Sequence, residues 1–180
     1  VDDDIDANST WLRAMVGAFD DDEVAAAGGP IRAIWMVPRP DWLSDRWQGH
    51  FTVNEFLHAR ESGEYTNPNY PWGANMAFRK DIFDIAGMFP TDLGRVGKCL
   101  LSNEEIDLFR RIEASGKKIR FASDAVIQYK IPAERMRKTW LYHRTYWQGR
   151  SDAVIDTNNS HDLYRNFLQK VSFFFNSSIG

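Results

Sequence analysis

The sequence predicts an α/β layer architecture on three observations. Short apolar runs of strand length alternate with segments whose apolar residues recur at helical spacing, the pattern of a sheet covered by helices. The 180 residues, 43% hydrophobic and 14% aromatic, suffice for one ordinary core and are too few for two. The cluster Asp2-Asp3-Asp4 follows Val1, which reads as the last residue of a buried strand begun before the sequence starts, and α/β folds gather ligands at the C-terminal ends of strands.

After the aspartates, Ser9 or Thr10 is placed to cap a helix carrying Trp11, Leu12, Met15, Val16 and Phe19, which ends in the acidic loop Asp20-Asp21-Asp22-Glu23. Val24 to Trp35 predicts a strand bent at Gly28-Gly29-Pro30, and a helix is expected from about Asp41 to Ala59. Pro71 to Arg79 is a tight approach into a strand, with Gly73 letting the backbone come close to something. Lys80 to Ala86 makes a short helix with Ile82, Phe83 and Ile85 inward and Gly87 at its C-cap. A flexible loop, Thr91 to Leu101, leads to the stretch on which the reading turns.

That stretch runs from Leu101 to Ile112. Ser102 or Asn103 caps a helix whose first turn carries Glu104, Glu105 and Asp107, where the helix dipole favours negative charge. Ile106, Phe109 and Ile112 form an apolar face, and the helix stops at Gly116. Adjacent acids at a helix start are ordinary start chemistry; the second acidic cluster at Asp2-Asp3-Asp4 is what gives them a functional reading, one cluster holding a metal and the other supplying a general base. Lys118 to Phe121 and Ala125 to Tyr129 are short strands, and a long helix starts at Pro132.

A net charge of -3, from 22 basic and 25 acidic residues, gives no global field for nucleic acid. Cys99 alone excludes an internal disulfide and a thiolate-built zinc site, and suits a reducing compartment. No apolar run reaches the roughly 18 residues that span a bilayer. The increasingly apolar Phe167 to Phe175 suits a core-covering helix, with a membrane-proximal helix as the alternative.

Hard divalent cations take oxygen ligands, so Asp2-Asp3-Asp4 points to magnesium or manganese. A calcium EF-hand begun at Asp2 fails, because Ala7 stands where glycine is needed and Arg13 where a bidentate Glu is needed. A haloacid-dehalogenase-type phosphatase would share the Asp-x-Asp, yet neither the residues after it nor any lysine signature continues that pattern.

The ordered set Asp2-Asp3-Asp4 with Trp11-Leu12, Gly73 to Arg79, Gly87-Met88-Phe89, Asn103 to Leu108, Pro132 to Arg135 and Tyr146 to Ser151 resembles glycosyltransferase family 2, enzymes of the GT-A fold. The resemblance implies a GT-A-like mixed sheet flanked by helices and lacking the N-terminal nucleotide-binding half. Residues 1–150 would be the acceptor-side part of the catalytic domain, and 151–180 a C-terminal helical extension. It implies a metal-dependent transferase moving a sugar from a nucleotide-sugar donor to a saccharide or lipid-linked acceptor, in surface polysaccharide or glycolipid synthesis.

Carried over by position, Asp2 lies near the nucleotide ribose with Asp3 beside it, Asp4 binds Mg2+ or Mn2+ on the diphosphate, and Gly73, Ala74 and Asn75 line the donor and acceptor side. Glu105 takes the place of the catalytic base, a Glu where the family usually has Asp; Glu104 orients or binds the acceptor, and Arg135 and Arg144 lie near the diphosphate or acceptor. Tyr129 stands where many members have a metal- or phosphate-holding His. The absent Gln-x-x-Arg-Trp motif favours single addition over processive synthesis. The expected setting is cytoplasmic, at the inner face of the membrane, with room for peripheral membrane contact and for self-association through an uncovered sheet edge. The alternative is a non-catalytic carbohydrate-binding or assembly module using aromatics such as Trp42, Trp47 and Trp72.

Overall fold

A computed structural model describes residues 4–54, 61–90, 95–96 and 99–157. The chain is mixed α/β, with two mixed sheets. In chain order the first elements are strand β1 (Ile5–Ala7), helix α1 (Trp11–Gly17), strands β2 (Val24–Gly28) and β3 (Ile31–Trp35), and a 3-10 segment, Asp45–Phe51. Then come β4 (Gly63–Tyr65), a 3-10 turn at Gly73–Asn75, β5 (Met76–Phe78), helix α2 (Ile82–Ala86), and the paired strands β6 (Arg95–Val96) and β7 (Cys99–Leu100). Helix α3 (Glu104–Ala114), β8 (Lys118–Phe121), β9 (Ile127–Ile131), a 3-10 turn at Ala133–Arg135 and helix α4 (Lys138–Thr157) complete the described chain.

One sheet runs β4-β8-β2-β5, with β2 parallel to β8 and antiparallel to β5. Its central strand reads Val-Ala-Ala-Ala-Gly and is buried throughout, as a strand covered on both faces must be. Helices α2 and α3 pack on this sheet through Ile82, Leu108, Phe109 and Ile112, which meet Tyr65, Ile119 and Phe121. The second sheet, β1-β9-β3, alternates: Ile31, Ile127, Tyr129 and Ile131 face a core with Phe51, Val53 and Leu141.

The predicted bend at Gly28-Gly29-Pro30 is the crossing from one sheet to the other. A carbon added at Gly28 would stand 2.4 Å from Pro71 Cβ, and one at Gly29 would stand 2.2 Å from the Ala125 carbonyl oxygen, so only glycine admits this approach. Gly87 closes α2 at φ +76, as its C-cap position predicts.

Several expectations are corrected. The helix expected over 41–59 is a 3-10 segment that ends at Thr52, φ 63; Asn54 turns back to β3, donating its N–H to the Ile31 carbonyl at 3.1 Å and accepting from the Ile31 N–H at 2.6 Å. Positions 55–59 of that expectation lie outside the described residues. Leu12, Val16 and Ile85 are exposed, because α1 and α2 are too short to bury more than the stripes around Met15 and Ile82. The loop expected before α3 contains the antiparallel pair β6 and β7. The helix expected from Pro132 begins at Lys138, after a separate 3-10 turn. Helix α4 ends the described chain at Thr157, and 158–180, most of the extension expected over 151–180, lie outside the described residues. Among the described residues, no helix is long and apolar enough to cross a membrane.

Candidate active site

Helix α3 is pinned by Leu108, Phe109 and Ile112, all fully buried, so its first turn is held at a fixed place on the sheet. The residue before it, Asn103, has φ 82 and makes no cap hydrogen bond; neither Ser102 nor Asn103 caps the helix in the predicted way. Both side chains turn to α4 instead. Asn103 Nδ2 donates to Asp152 Oδ1 at 3.0 Å, and Gln148 Nε2 donates to Asn103 Oδ1 at 2.9 Å. The Ser102 N–H donates to Ser151 Oγ at 2.9 Å.

Glu104 and Glu105 lie within reach of one another. Burial above all pushes the Glu105 carboxyl above the usual carboxylate range; Glu104 beside it adds to the rise, and the Arg144 charge opposes it. Glu104 Oε2 is buried with no hydrogen-bond partner. Gly73 faces the same group, since a carbon added there would stand 3.7 Å from Glu105 Oε1. Arg144 also acts on His50, whose pKa is lowered by burial first and by Arg144 second, with Asp152 opposing. The 3-10 segment, the Gly73 turn, α3 and α4 therefore converge on one acidic pair with a cation beside it. A carboxyl whose pKa is raised toward neutrality, held by a rigid helix, is suited to accept a proton.

Asp4 lies in a second cluster, at the start of the β1 edge. Its Oδ1 is buried without a hydrogen-bond partner, the state of an oxygen available to a hard cation. Tyr129 stands beside it, its pKa raised mainly by burial and further by Asp4, with Arg135 opposing; its hydroxyl accepts from Arg135 Nη1 at 3.3 Å. A phenol held in its neutral form is a poor ligand. Among the described residues no group of three His, Cys, Asp or Glu side chains comes together, so Asp4 fits a magnesium-type site only with oxygens from a phosphate-bearing ligand. Asp2 and Asp3 lie outside the described residues. Arg135 also stacks over Trp140, 5.8 Å from the ring centroid, and Trp140 precedes Arg144 by one helical turn, about 6 Å of rise, so α4 links the two clusters.

Asn75 and Ala74 are buried. The Asn75 amide donates to the carbonyls of Pro30 at 3.0 Å and Ala125 at 2.8 Å and accepts from Trp11 Nε1 at 2.9 Å. Its side chain is a brace between the sheets, and of the three turn residues Gly73 is the one beside Glu105. Trp42, Trp47 and Trp72 pack against the second core. A cavity of about 670 Å³, lined by Asp6, Arg13, Arg32, Asp124 and Gln128 among others, involves none of the predicted site residues. The sequence reading assigned no role to His50, Ser151 or Asp152; for the last two a signal exists, since Arg144, Gln148, Ser151 and Asp152 recur at helical spacing on one face of α4.

Over 158 residues, 87% of this chain and 50% of the relative, the chain is 26% identical to a glucosyl-dolichyl phosphate glucuronosyltransferase of Haloferax volcanii. Over 164 residues, 91% of this chain and 49% of the relative, it is 24% identical to the succinoglycan biosynthesis protein ExoM of Rhizobium meliloti. The chain thus spans about half the length of the curated relatives it matches. No family model matches it, and no solved structure does.

Proposed function

We propose that this chain carries the acceptor side of a glycosyltransferase active site, in which a sugar passes with inversion and one addition at a time from a nucleotide-sugar donor to a hydroxyl of a saccharide or lipid-linked acceptor. The observation that carries the reading is the Glu105 carboxyl, raised in pKa, fixed by α3 and faced by Gly73. Similarity to a glucuronosyltransferase and to a polysaccharide biosynthesis protein supports the reaction class.

In the proposed reaction Glu105 takes the acceptor hydroxyl proton as the oxygen forms its bond to the anomeric carbon. The bond from that carbon to the diphosphate breaks, and its electron pair leaves with the nucleoside diphosphate. The Arg144 charge opposes the rise in the Glu105 pKa and so favours the ionised form that accepts the proton. Asp4 would hold a Mg2+ or Mn2+ that neutralises charge on the diphosphate when bound. Arg135, beside Asp4 and Tyr129, offers a further positive charge to phosphate oxygens.

The test is a screen of the full-length protein against a panel of nucleoside diphosphate sugars with saccharide and lipid-phosphate acceptors. In the active pairing, Glu105→Gln should lower kcat by about a hundredfold to ten-thousandfold with donor affinity nearly unchanged. Near-normal turnover in Glu105→Gln would remove the base from this position.

A further inference from the structure

We propose that Gln148, Ser151 and Asp152 of α4 form a latch that sets where the Glu104–Glu105 carboxylates stand, which makes them positioning residues for the base. The inference rests on the proposed transferase reading for its catalytic meaning, and on geometry alone for the latch itself.

The turn before α3 is tied to α4 through its side chains and the Ser102 N–H. Asn103 is in the left-handed region at φ 82, a conformation that costs a non-glycine residue energy, yet it is buried. A strained, buried residue persists only where its surroundings over-determine it. Here the surroundings are three side chains of one helix face. Gln148 uses its amide N–H groups on Asn103 Oδ1 at 2.9 Å and on Asp152 Oδ1 at 3.0 Å, while its Oε1 accepts from Ser102 Oγ at 3.3 Å. Asp152 Oδ1 takes a second bond, from Asn103 Nδ2. Ser151, fully buried, accepts the Ser102 N–H and is fixed in turn by donating to the Trp147 carbonyl at 2.9 Å.

Both residues of the turn are thus gripped, and the next two residues are the acidic pair. The same face of α4 carries Arg144, one turn before Gln148, which bears electrostatically on Glu105. One rigid helix therefore supplies the position of the base and the cation beside it. A displacement of α4 along its axis would move both together.

The test uses three variants of the full-length protein. Gln148→Ala removes the hub. Ser151→Ala removes one hydroxyl with little change in volume. Asn103→Gly keeps the left-handed backbone accessible and deletes the side-chain ties. Two readouts need no activity: hydrogen exchange of the 102–106 amides, and titration of the Glu105 carboxyl by carbon NMR. The latch predicts exchange in 102–106 faster by about tenfold or more and a displaced Glu105 titration in Gln148→Ala and Asn103→Gly, with exchange in β2 and β8 unchanged. In the active pairing, kcat should fall by about tenfold to a hundredfold with donor KM little changed. Unchanged exchange and titration in Asn103→Gly and Ser151→Ala would overturn the latch. Loosening of the turn in a protein that transfers no sugar from any donor of the panel would sustain the latch and sink the transferase reading.

Discussion

Gly73 and Glu105 face each other where the Gly73–Asn75 turn meets α3: a carbon added at Gly73 would lie 3.7 Å from Glu105 Oε1 and within 4 Å of no other described atom outside its chain neighbours. The space over Gly73 is therefore open and bounded by the carboxylate. A side chain fits there without a clash, and what it displaces is whatever approaches the base. Gly73→Ala should change stability by less than about 1 kcal/mol. Gly73→Val should raise acceptor KM by about tenfold while donor KM holds, because its methyls fill the approach to Glu105. Thermal melts with steady-state kinetics check both; a Gly73→Val enzyme with unchanged acceptor KM would place the acceptor elsewhere.

Asn75 calls for the opposite result. Its amide satisfies two buried carbonyls and the Trp11 indole, across the crossing from one sheet to the other. Asn75→Ala leaves those partners without their bonds and opens a small void, so it should cost about 3 kcal/mol or more. Chemical denaturation measures this. A loss under about 1 kcal/mol would mean that water replaces the amide.

These two residues sit two apart in sequence and show where the sequence could be read. Helix α3 was legible in outline because its signals are local: acids in the first turn, apolar residues at helical spacing and a Gly116 stop at φ 82. Strand β8 was legible for the same reason. Asn75 read as a lining residue because nothing local tells a buried amide from an exposed one; its partners lie 45, 50 and 64 residues away. Gln148 stood in the Tyr146 to Ser151 stretch with no role of its own, because its partner Asn103 lies 45 residues away in sequence and touches it only in space. The left-handed turn at Thr52 that ends the 3-10 segment had no glycine to announce it.

Asp4 carries the metal expectation. With one unpartnered buried oxygen and Tyr129 and Arg135 beside it, the site should take a divalent cation weakly alone and more tightly once a nucleoside diphosphate adds oxygens. Titrating Mn2+ into the full-length protein, with and without uridine diphosphate or guanosine diphosphate, should show that synergy. Asp4→Ala should abolish it. Persistent synergy in Asp4→Ala would move the cation to other ligands.

The last prediction turns on the two charges that pull Glu105 in opposite directions. Burial and Glu104 raise its pKa, and Arg144 lowers it. A general base works ionised, so the acid limb of kcat/KM should lie above the pH at which an ordinary glutamate titrates. Removing Arg144 takes away the opposing charge, so Arg144→Gln should move the limb to higher pH. Glu104→Gln removes a like charge and should move it to lower pH. The same shift has a stability side. A carboxyl whose folded pKa is raised contributes stability that is fully present below its unfolded pKa and is lost as the pH rises through the folded value, so Glu105→Gln should gain stability relative to the parent as the pH climbs through that window. Measuring kcat/KM against pH for the parent and both variants decides the matter. Limbs that move in the same direction for Arg144→Gln and Glu104→Gln would show that some group other than Glu105 is titrating.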